Sequence, residues 1–322
     1  AGQALWLALG LGAVLIAIFL LAGRLMIDVM GGTGPVADEA WTYLWIGSLG
    51  APLVLIALAG QGYLRGVGDM WTPLRVLLAA NVLNAALEAV FIYGFGWGIA
   101  GSAASTVLAQ GVAALWFLPT LTAGLRRPAL AAMRPLIRIG GDLFVRTGAL
   151  LIAFALATAI LARQGAEVVA AHEVAFRSFI FLALALDALA IASQTLIGTN
   201  LGAGRARWAR ALARRAVGWS FVFGVLLTGA LILGADLLPR IFTDDPAVIA
   251  QVGLMWPLFA LMQPANAVVF ALDGVLIGAG DTAYLKWAML ASVVLVFLPL
   301  ALATPILDWG IRGIWWALTA LI

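Results

Sequence analysis

Leu64-Arg65-Gly66-Val67-Gly68-Asp69 and, 212 residues later, Leu276-Ile277-Gly278-Ala279-Gly280-Asp281 are two copies of one phrase. The register holds on both sides of it. Pro52 returns as Pro264, and Trp97-Gly98-Ile99-Ala100-Gly101 returns as Trp309-Gly310-Ile311-Arg312-Gly313. Each copy is embedded in apolar sequence, so the duplication marks a chain built from two structural halves within a membrane.

Composition agrees. The 322 residues are 64% hydrophobic and 10% charged, with a mean hydropathy of +1.09, whereas soluble domains carry about 25% charged residues. One His and no Cys exclude a disulfide framework and a Cys-based metal site, and neither a metal nor a cofactor is expected. The chain opens on Ala1-Gly2-Gln3, without an initiator Met or the basic start of a cleavable signal peptide. A pI near 9.8 suits nucleic acid as well as a membrane. The basic residues, however, cluster between apolar segments, so the expected partner is the lipid bilayer and not nucleic acid.

A bilayer span takes ~20 mostly apolar residues. Eight full-length candidates run through roughly 4–30, 39–63, 73–96, 99–124, 139–162, 166–197, 214–238 and 248–275. A ninth covers 284–305, and a tenth opens near 311 and reaches Ile322. Several exceed ~25 residues, which predicts tilt or extension past the bilayer. Taking alternate loops together, one side collects twelve cations: Arg65, Arg75, Arg126, Arg127, Arg134, Arg138, Arg205, Arg207, Arg210, Arg214, Arg215 and Lys286. The other side holds four, Arg24, Arg163, Arg240 and Arg312, set among acids such as Asp28, Glu39 and Asp245. The positive-inside rule makes the first side cytoplasmic. Arg146 and Arg177 lie inside spans.

Both Gly-x-Gly-Asp copies fall on the cytoplasmic side, so an even number of spans separates them, and six fit into 212 residues. The halves are therefore parallel, related by an axis along the membrane normal. The expected fold is an all-α integral membrane protein of two parallel, pseudo-symmetric six-helix lobes. Residues 1–125 form a partial N-lobe, the basic stretch 126–138 with Pro128 and Pro135 a cytoplasmic link, and 139–322 the C-lobe. With the second half starting near Arg138, the offset places the start of the first near position −74. The expectation is a chain truncated by two helices at its N-terminus and clipped in its last helix.

Five motifs in order carry a resemblance that runs over essentially the whole chain. They are Gly62-Tyr63-Leu64-Arg65-Gly66-Val67-Gly68-Asp69 with Thr72-Pro73-Leu74, and Gly98-Ile99-Ala100-Gly101-Ser102-Ala103. The others are Ala170-Ala171-His172-Glu173, Gln194-Thr195-Leu196-Ile197-Gly198 with Leu201-Gly202-Ala203-Gly204, and Leu272-Asp273-Gly274-Val275-Leu276 through Asp281. The sequence resembles the multidrug and toxic compound extrusion (MATE) family, on its DinF-like bacterial branch. The resemblance implies twelve helices in two six-helix lobes around a central cleft, of which this chain carries the third to the twelfth. It also implies cation-coupled export of organic, often cationic, small molecules by a monomer in the bacterial inner membrane. The coupling ion is expected to be H+, with Na+ the other choice.

Ionisable groups inside a span cost at least ~2.5–3.5 kcal/mol on insertion scales, so they are functional candidates. In the third span Asn81, Asn84 and Glu88 are spaced i, i+3, i+7 and fall within about 60° of one another on a helix. Desolvation favours the neutral form of a carboxyl group, which suits a proton carrier. The resemblance places a proton-linked Asp where this chain has Glu88, and adds Gln61 and Thr106 to the polar network. The repeat is an internal control: Asn84, Glu88 and Thr106 return as Val296, Leu300 and Leu318. The other reading of Glu88 is a helix-packing hydrogen bond to Asn84.

The second half has its own candidates. Glu173, Arg177, Asp187 and Gln194 lie within about a 100° arc of span 166–197. Glu173 with Arg177, and Asp142 with Arg146, are spaced i, i+4 and predict local ion pairs. Gln263, Asn266 and Asp273 share a face of span 248–275, and Asp273 is the repeat partner of Gln61. This set reads equally as a cation or second proton site and as a charge-neutral structural network. His172 reads first as a packed residue and second as a proton relay. Pro52 and Pro264, mid-span at equivalent positions, predict kinks that serve as hinges or as static curvature.

Three other functions compete. Gly-x-Gly-Asp also marks intramembrane aspartyl proteases, but their partner Tyr-Asp is missing and a turn with a helix cap explains both copies; no enzyme is expected. A lipid-linked oligosaccharide flippase of a related fold needs a cationic cleft, whereas Arg146 and Arg177 each lie near acids. A channel would show a continuous polar row instead of discrete clusters.

Overall fold

A computed structural model describes residues 2–123 and 125–322, and every regular element among them is helical. The first unit, Ala1–Ile137, holds α1 (Gly2–Val29), α2 (Gly34–Ser48), α3 (Ala51–Gly66), α4 (Trp71–Ala89), a π-turn (Val90–Gly94) and α5 (Gly98–Thr122). Helix α6 (Leu130–Ala162) leads into the second unit, Arg138–Ile322. There follow α7 (Ala166–Gly202), α8 (Ala206–Leu233), α9 (Pro246–Leu261), α10 (Gln263–Ala279), α11 (Thr282–Ala291), a second π-segment (Ser292–Phe297), α12 (Leu298–Ile306) and α13 (Gly310–Leu321). Among the described residues seven helices are long and apolar enough to cross a bilayer, and two bent pairs, α2–α3 and α9–α10, raise the number to nine. The tenth expected segment is α13.

Helix ends depart from the expected spans on the basic side. Helix α6 starts at Leu130, inside the stretch read as a link, α7 continues to Gly202, and α8 begins at Ala206. Hydropathy marks only the part of a helix that lipid covers, while Ala, Leu, Met and Arg keep the backbone helical beyond it. Lys286, read as a loop cation, sits on α11 for the same reason.

The repeated phrase is a helix stop followed by a restart. Asp69 N–H donates to Leu64 O at 2.9 Å, and Asp281 N–H donates to Leu276 O at 2.9 Å. Gly68 and Gly280 take positive φ, 89° and 79°, which only glycine adopts without strain, and they close a Schellman-type cap. Each Asp then opens the next helix. Asp69 accepts from Trp71 N and Thr72 N, and Asp281 from Tyr284 N. Hydrogen bonds from the Thr72 side chain and backbone hold the Asp69 carboxyl below the usual carboxylate range.

The two mid-span prolines sit at bends of 44° and 50°, as the second residue of α3 and of α10. Pro264 has no N–H for the carbonyl of Ala260, four residues back. Thr228 Oγ1, on α8, donates to that carbonyl at 2.7 Å. Beside it Gln263 Nε2 donates to Phe259 O at 2.8 Å and Asn266 Nδ2 to Gln263 Oε1 at 3.3 Å. Both bends are braced by a glycine of a neighbouring helix, again 212 residues apart. A Cβ on Gly12 would lie 2.5 Å from Pro52 Cα, and one on Gly224 2.6 Å from Pro264 Cα. Gly274 and Gly278 likewise press α10 onto the α7 backbone at Ala190 and Gln194, the small-residue contact that lets membrane helices approach closely.

Two substitutions test this bracing. Gly224→Leu should lower the thermal unfolding midpoint of the detergent-purified protein, because the new side chain overlaps the Pro264 backbone. Thr228→Val should cost about 1 kcal/mol by leaving the Ala260 carbonyl unpaired. Gly253→Ala, where a Cβ meets open space, should not lower the midpoint.

Candidate functional site

Helices α3, α4 and α5 enclose a cavity of about 280 Å³ in the first unit. Its polar lining is Gln61, Asn81, Asn84, Thr106 and Gln110, against an apolar wall that includes Val76, Ala80 and Phe117. Gly60 lets α3 touch Phe117 of α5. Phe91, Phe95 and Trp97 cluster with ring centroids 5.0–5.8 Å apart and fasten the turn between α4 and α5.

The α4 stripe is divided among partners. Asn84 Nδ2 donates to Ser105 Oγ and Thr106 Oγ1 across the helix interface, both at 3.3 Å. Thr106 also donates to Ser102 O at 3.0 Å. Asn81 lines the cavity but donates back to Leu77 O on its own helix. Glu88, half-buried one turn beyond Asn84, accepts a 2.8 Å hydrogen bond from Ser102 Oγ and lies outside the cavity lining. Its partner is this hydroxyl, not Asn84. Gln61 Oε1 accepts from Arg65 Nη2 at 3.0 Å.

Ser102, Ser105 and Gln110 were not among the residues singled out by sequence. A signal was present: they return in the second copy as Ile314, Ala317 and Ile322. The same comparison bears on the cavity lining: Asn81, Asn84, Thr106 and Gln110 stand where the second half has Val293, Val296, Leu318 and Ile322. Elsewhere in the second half Phe259 and Trp315, 0% and 1% exposed, meet edge to face at 5.5 Å. With Ile314 and Leu318 they pack the second unit's main apolar core.

The second unit's polar residues separate into three groups. Glu173 and Arg177 form the expected local pair at 3.4 Å, with both side chains well exposed. Asp142 and Arg146 do not pair with each other, because stronger partners face them from other helices. Asp142 accepts from Lys286 Nζ at 2.5 Å and Thr282 Oγ1 at 3.2 Å on α11, and Arg146 binds Asp273 of α10. Asp187 is exposed on α7 within the electrostatic reach of Arg146. Gln263 and Asn266 are 0% and 1% exposed and serve the α9–α10 bend, while Gln194 is exposed. His172 is 0% exposed with both ring nitrogens unpartnered, against Phe176 and Trp315. Among the described residues no group of His, Cys, Asp and Glu is placed to hold a metal ion.

A larger cavity, about 630 Å³, lies in the second unit between Leu300, Asp308, Trp309, Arg312 and Trp316. It carries Leu300 where the first copy has Glu88, and its two tryptophans are about half exposed. It is the larger of the two and has Asp308 and Arg312 in its lining, whereas five uncharged polar side chains converge on the first-unit cavity and Glu88 sits one turn beyond it.

Repeated sets of broken apolar helices, with a polar cavity inside one of them, define a membrane carrier. The family profile MatE matches residues 1–90 and 147–302, and the chain belongs to the MATE family of multi-pass membrane transporters, not to an enzyme family. It is 33% identical over 316 residues to Protein DETOXIFICATION 44, chloroplastic, of Arabidopsis thaliana, covering 96% of this chain and 60% of that protein. It is 30% identical over 341 residues to the Probable multidrug resistance protein NorM of Deinococcus radiodurans, covering 99% of this chain and 74% of that protein. A multidrug resistance MATE family transporter of the MOP superfamily, solved in an outward-facing conformation, superposes with a TM-score of 0.90 at 19% identity, over 98% of this chain and 73% of that one. The chain thus spans about 60% of the length of its plant relatives.

Arg146 and Asp273 are 17% and 16% exposed, so removing one strands the other. Arg146→Ala should cost roughly 3 kcal/mol, and the double variant Arg146→Ala/Asp273→Ala should recover most of it. Chemical or thermal unfolding of these two variants and of Asp273→Ala measures the cycle.

Proposed function

We propose that this chain forms most of an antiporter that exports organic, cationic or amphipathic compounds in exchange for protons by alternating access. The observation that carries the reading is the first-unit cavity beside Glu88, whose lining residues Asn81, Asn84, Thr106 and Gln110 are replaced by Val293, Val296, Leu318 and Ile322 in the other repeat. Glu88 is held by a hydroxyl and not by a cation. Unlike Asp142 and Asp273, it joins no ion pair among the described residues. Proton and substrate would compete through the connected set Glu88, Ser102, Asn84 and Thr106. At about 280 Å³ the cavity is near the lower edge of ligand pockets, ~300–1,000 Å³. It fits the polar end of an amphipathic molecule, with the rest lying against Val76, Ala80 and Phe117. The name of the Deinococcus relative, a probable multidrug resistance protein, supports this substrate class. The reading places the carrier, as a monomer, in the bacterial inner membrane.

Glu88→Gln keeps an acceptor for Ser102 and removes the proton. In proteoliposomes of the full-length protein this variant should fold and insert normally yet lose export of a cationic dye driven by a pH gradient. Wild-type export in the variant refutes the role of Glu88, and export by the wild type under a sodium gradient alone assigns coupling to Na+. Asn84→Val/Thr106→Leu, which imports the second-half residues, should cut dye export at least ~10-fold, as expected from closing the polar face of a ligand site.

A further inference from the structure

The start of α8 is the most basic stretch of the chain. Arg205, Arg207, Arg210, Arg214 and Arg215 fall within eleven residues, and no Asp or Glu occurs between Asp187 and Asp236. All five are exposed, and none joins an ion pair among the described residues. At 100° per residue Arg207, Arg210 and Arg214 lie on one stripe about 60° wide, and Trp208, Arg215 and Trp219 on the next. Ala209, Ser220 and Gly224, on the opposite side, are buried. Trp219 is 71% exposed, and Val222 and Leu226 continue its stripe as exposed aliphatic side chains.

Read from Leu226 upward, this face has the order of a phospholipid: aliphatic, indole, guanidinium. An indole settles at the boundary of the hydrocarbon. The rise of 1.5 Å per residue puts Arg214 and Arg215 about 6–8 Å above Trp219, and the headgroup layer is about 5–7 Å deep. Arg210 stands about one turn higher, within a Debye length of the surface charge, and Arg207 a turn above that. A charge that only sets topology needs neither the indole nor the exposed aliphatic stripe below it.

We propose that this face of α8 binds an anionic phospholipid of the cytoplasmic-side leaflet. The guanidinium forks of Arg214 and Arg215 take its phosphate, and an acyl chain lies along Trp219, Val222 and Leu226. The site is independent of how transport is coupled.

Native mass spectrometry of the full-length protein in detergent, titrated with phosphatidylglycerol and with phosphatidylcholine of the same acyl chains, tests it. The wild type should hold phosphatidylglycerol more tightly by on the order of tenfold or more, and Arg214→Gln/Arg215→Gln should abolish that preference. Arg214→Lys/Arg215→Lys, which keeps the charge but not the fork, should fall between the two. Equal binding of both lipids by the wild type, or an unchanged preference in the Gln variant, overturns the proposal. So does displacement of phosphatidylglycerol by millimolar inorganic phosphate, which would mark a site for a free anion. Unchanged thermal unfolding of the Gln variant confirms that it is folded.

Discussion

Inside a bilayer no water completes a broken hydrogen-bond ladder, so every interruption of a spanning helix must be satisfied by the protein itself. This chain interrupts two of its spans, at Pro52 and Pro264, and much of its packing answers those breaks. In the second unit Thr228 reaches across from α8 to the Ala260 carbonyl, and the Gln263 amide covers that of Phe259. In the first unit Gln110 enters from α5 and touches the backbone at Gly50, at the head of the bend. Both bends are held by a glycine on the preceding spanning helix, Gly12 or Gly224, against the proline backbone. The restraint is thus written twice, in the same register as the Gly-x-Gly-Asp stops.

Duplicated scaffolds need not keep duplicated interiors. Once the backbone path is fixed, the space between α3, α4 and α5 is decided by a few side chains. Val293, Val296, Leu318 and Ile322 stand in the second copy where Asn81, Asn84, Thr106 and Gln110 line the first. Apolar filling stabilises by burying area. Leaving space sacrifices that contribution and requires hydrogen bonds for the polar groups exposed to it, which Ser105 and Thr106 supply to Asn84. The lost packing energy is consistent with a site kept for a ligand.

Charges inside the two units differ in the same way. Asp142, Arg146, Asp273 and Lys286 neutralise one another across three helices, so removing one partner would strand a charge at a cost of several kcal/mol. Such pairs hold helices together. Glu88 instead takes a hydrogen bond from a neutral donor, Ser102.

The sequence by itself determined the membrane class, most of the spans and the repeat, because hydropathy and register are properties of the chain alone. It pointed to Asn84, Glu88 and Thr106, since the repeat has Val296, Leu300 and Leu318 in their places, and to Gln61 through the family resemblance. The same comparison would have yielded Ser102 and Ser105, whose hydroxyls look unremarkable in a helix until a carboxylate or amide lies opposite. Only the tertiary structure decided the partners. Spacing i, i+4 made Asp142 and Arg146 look like a pair, yet opposite charges on α10 and α11 take them both. Gln263 and Asn266 shared a face with Asp273, but bury themselves in the bend. Helical periodicity fixes which side a residue faces; what waits on that side is set by helices distant in sequence.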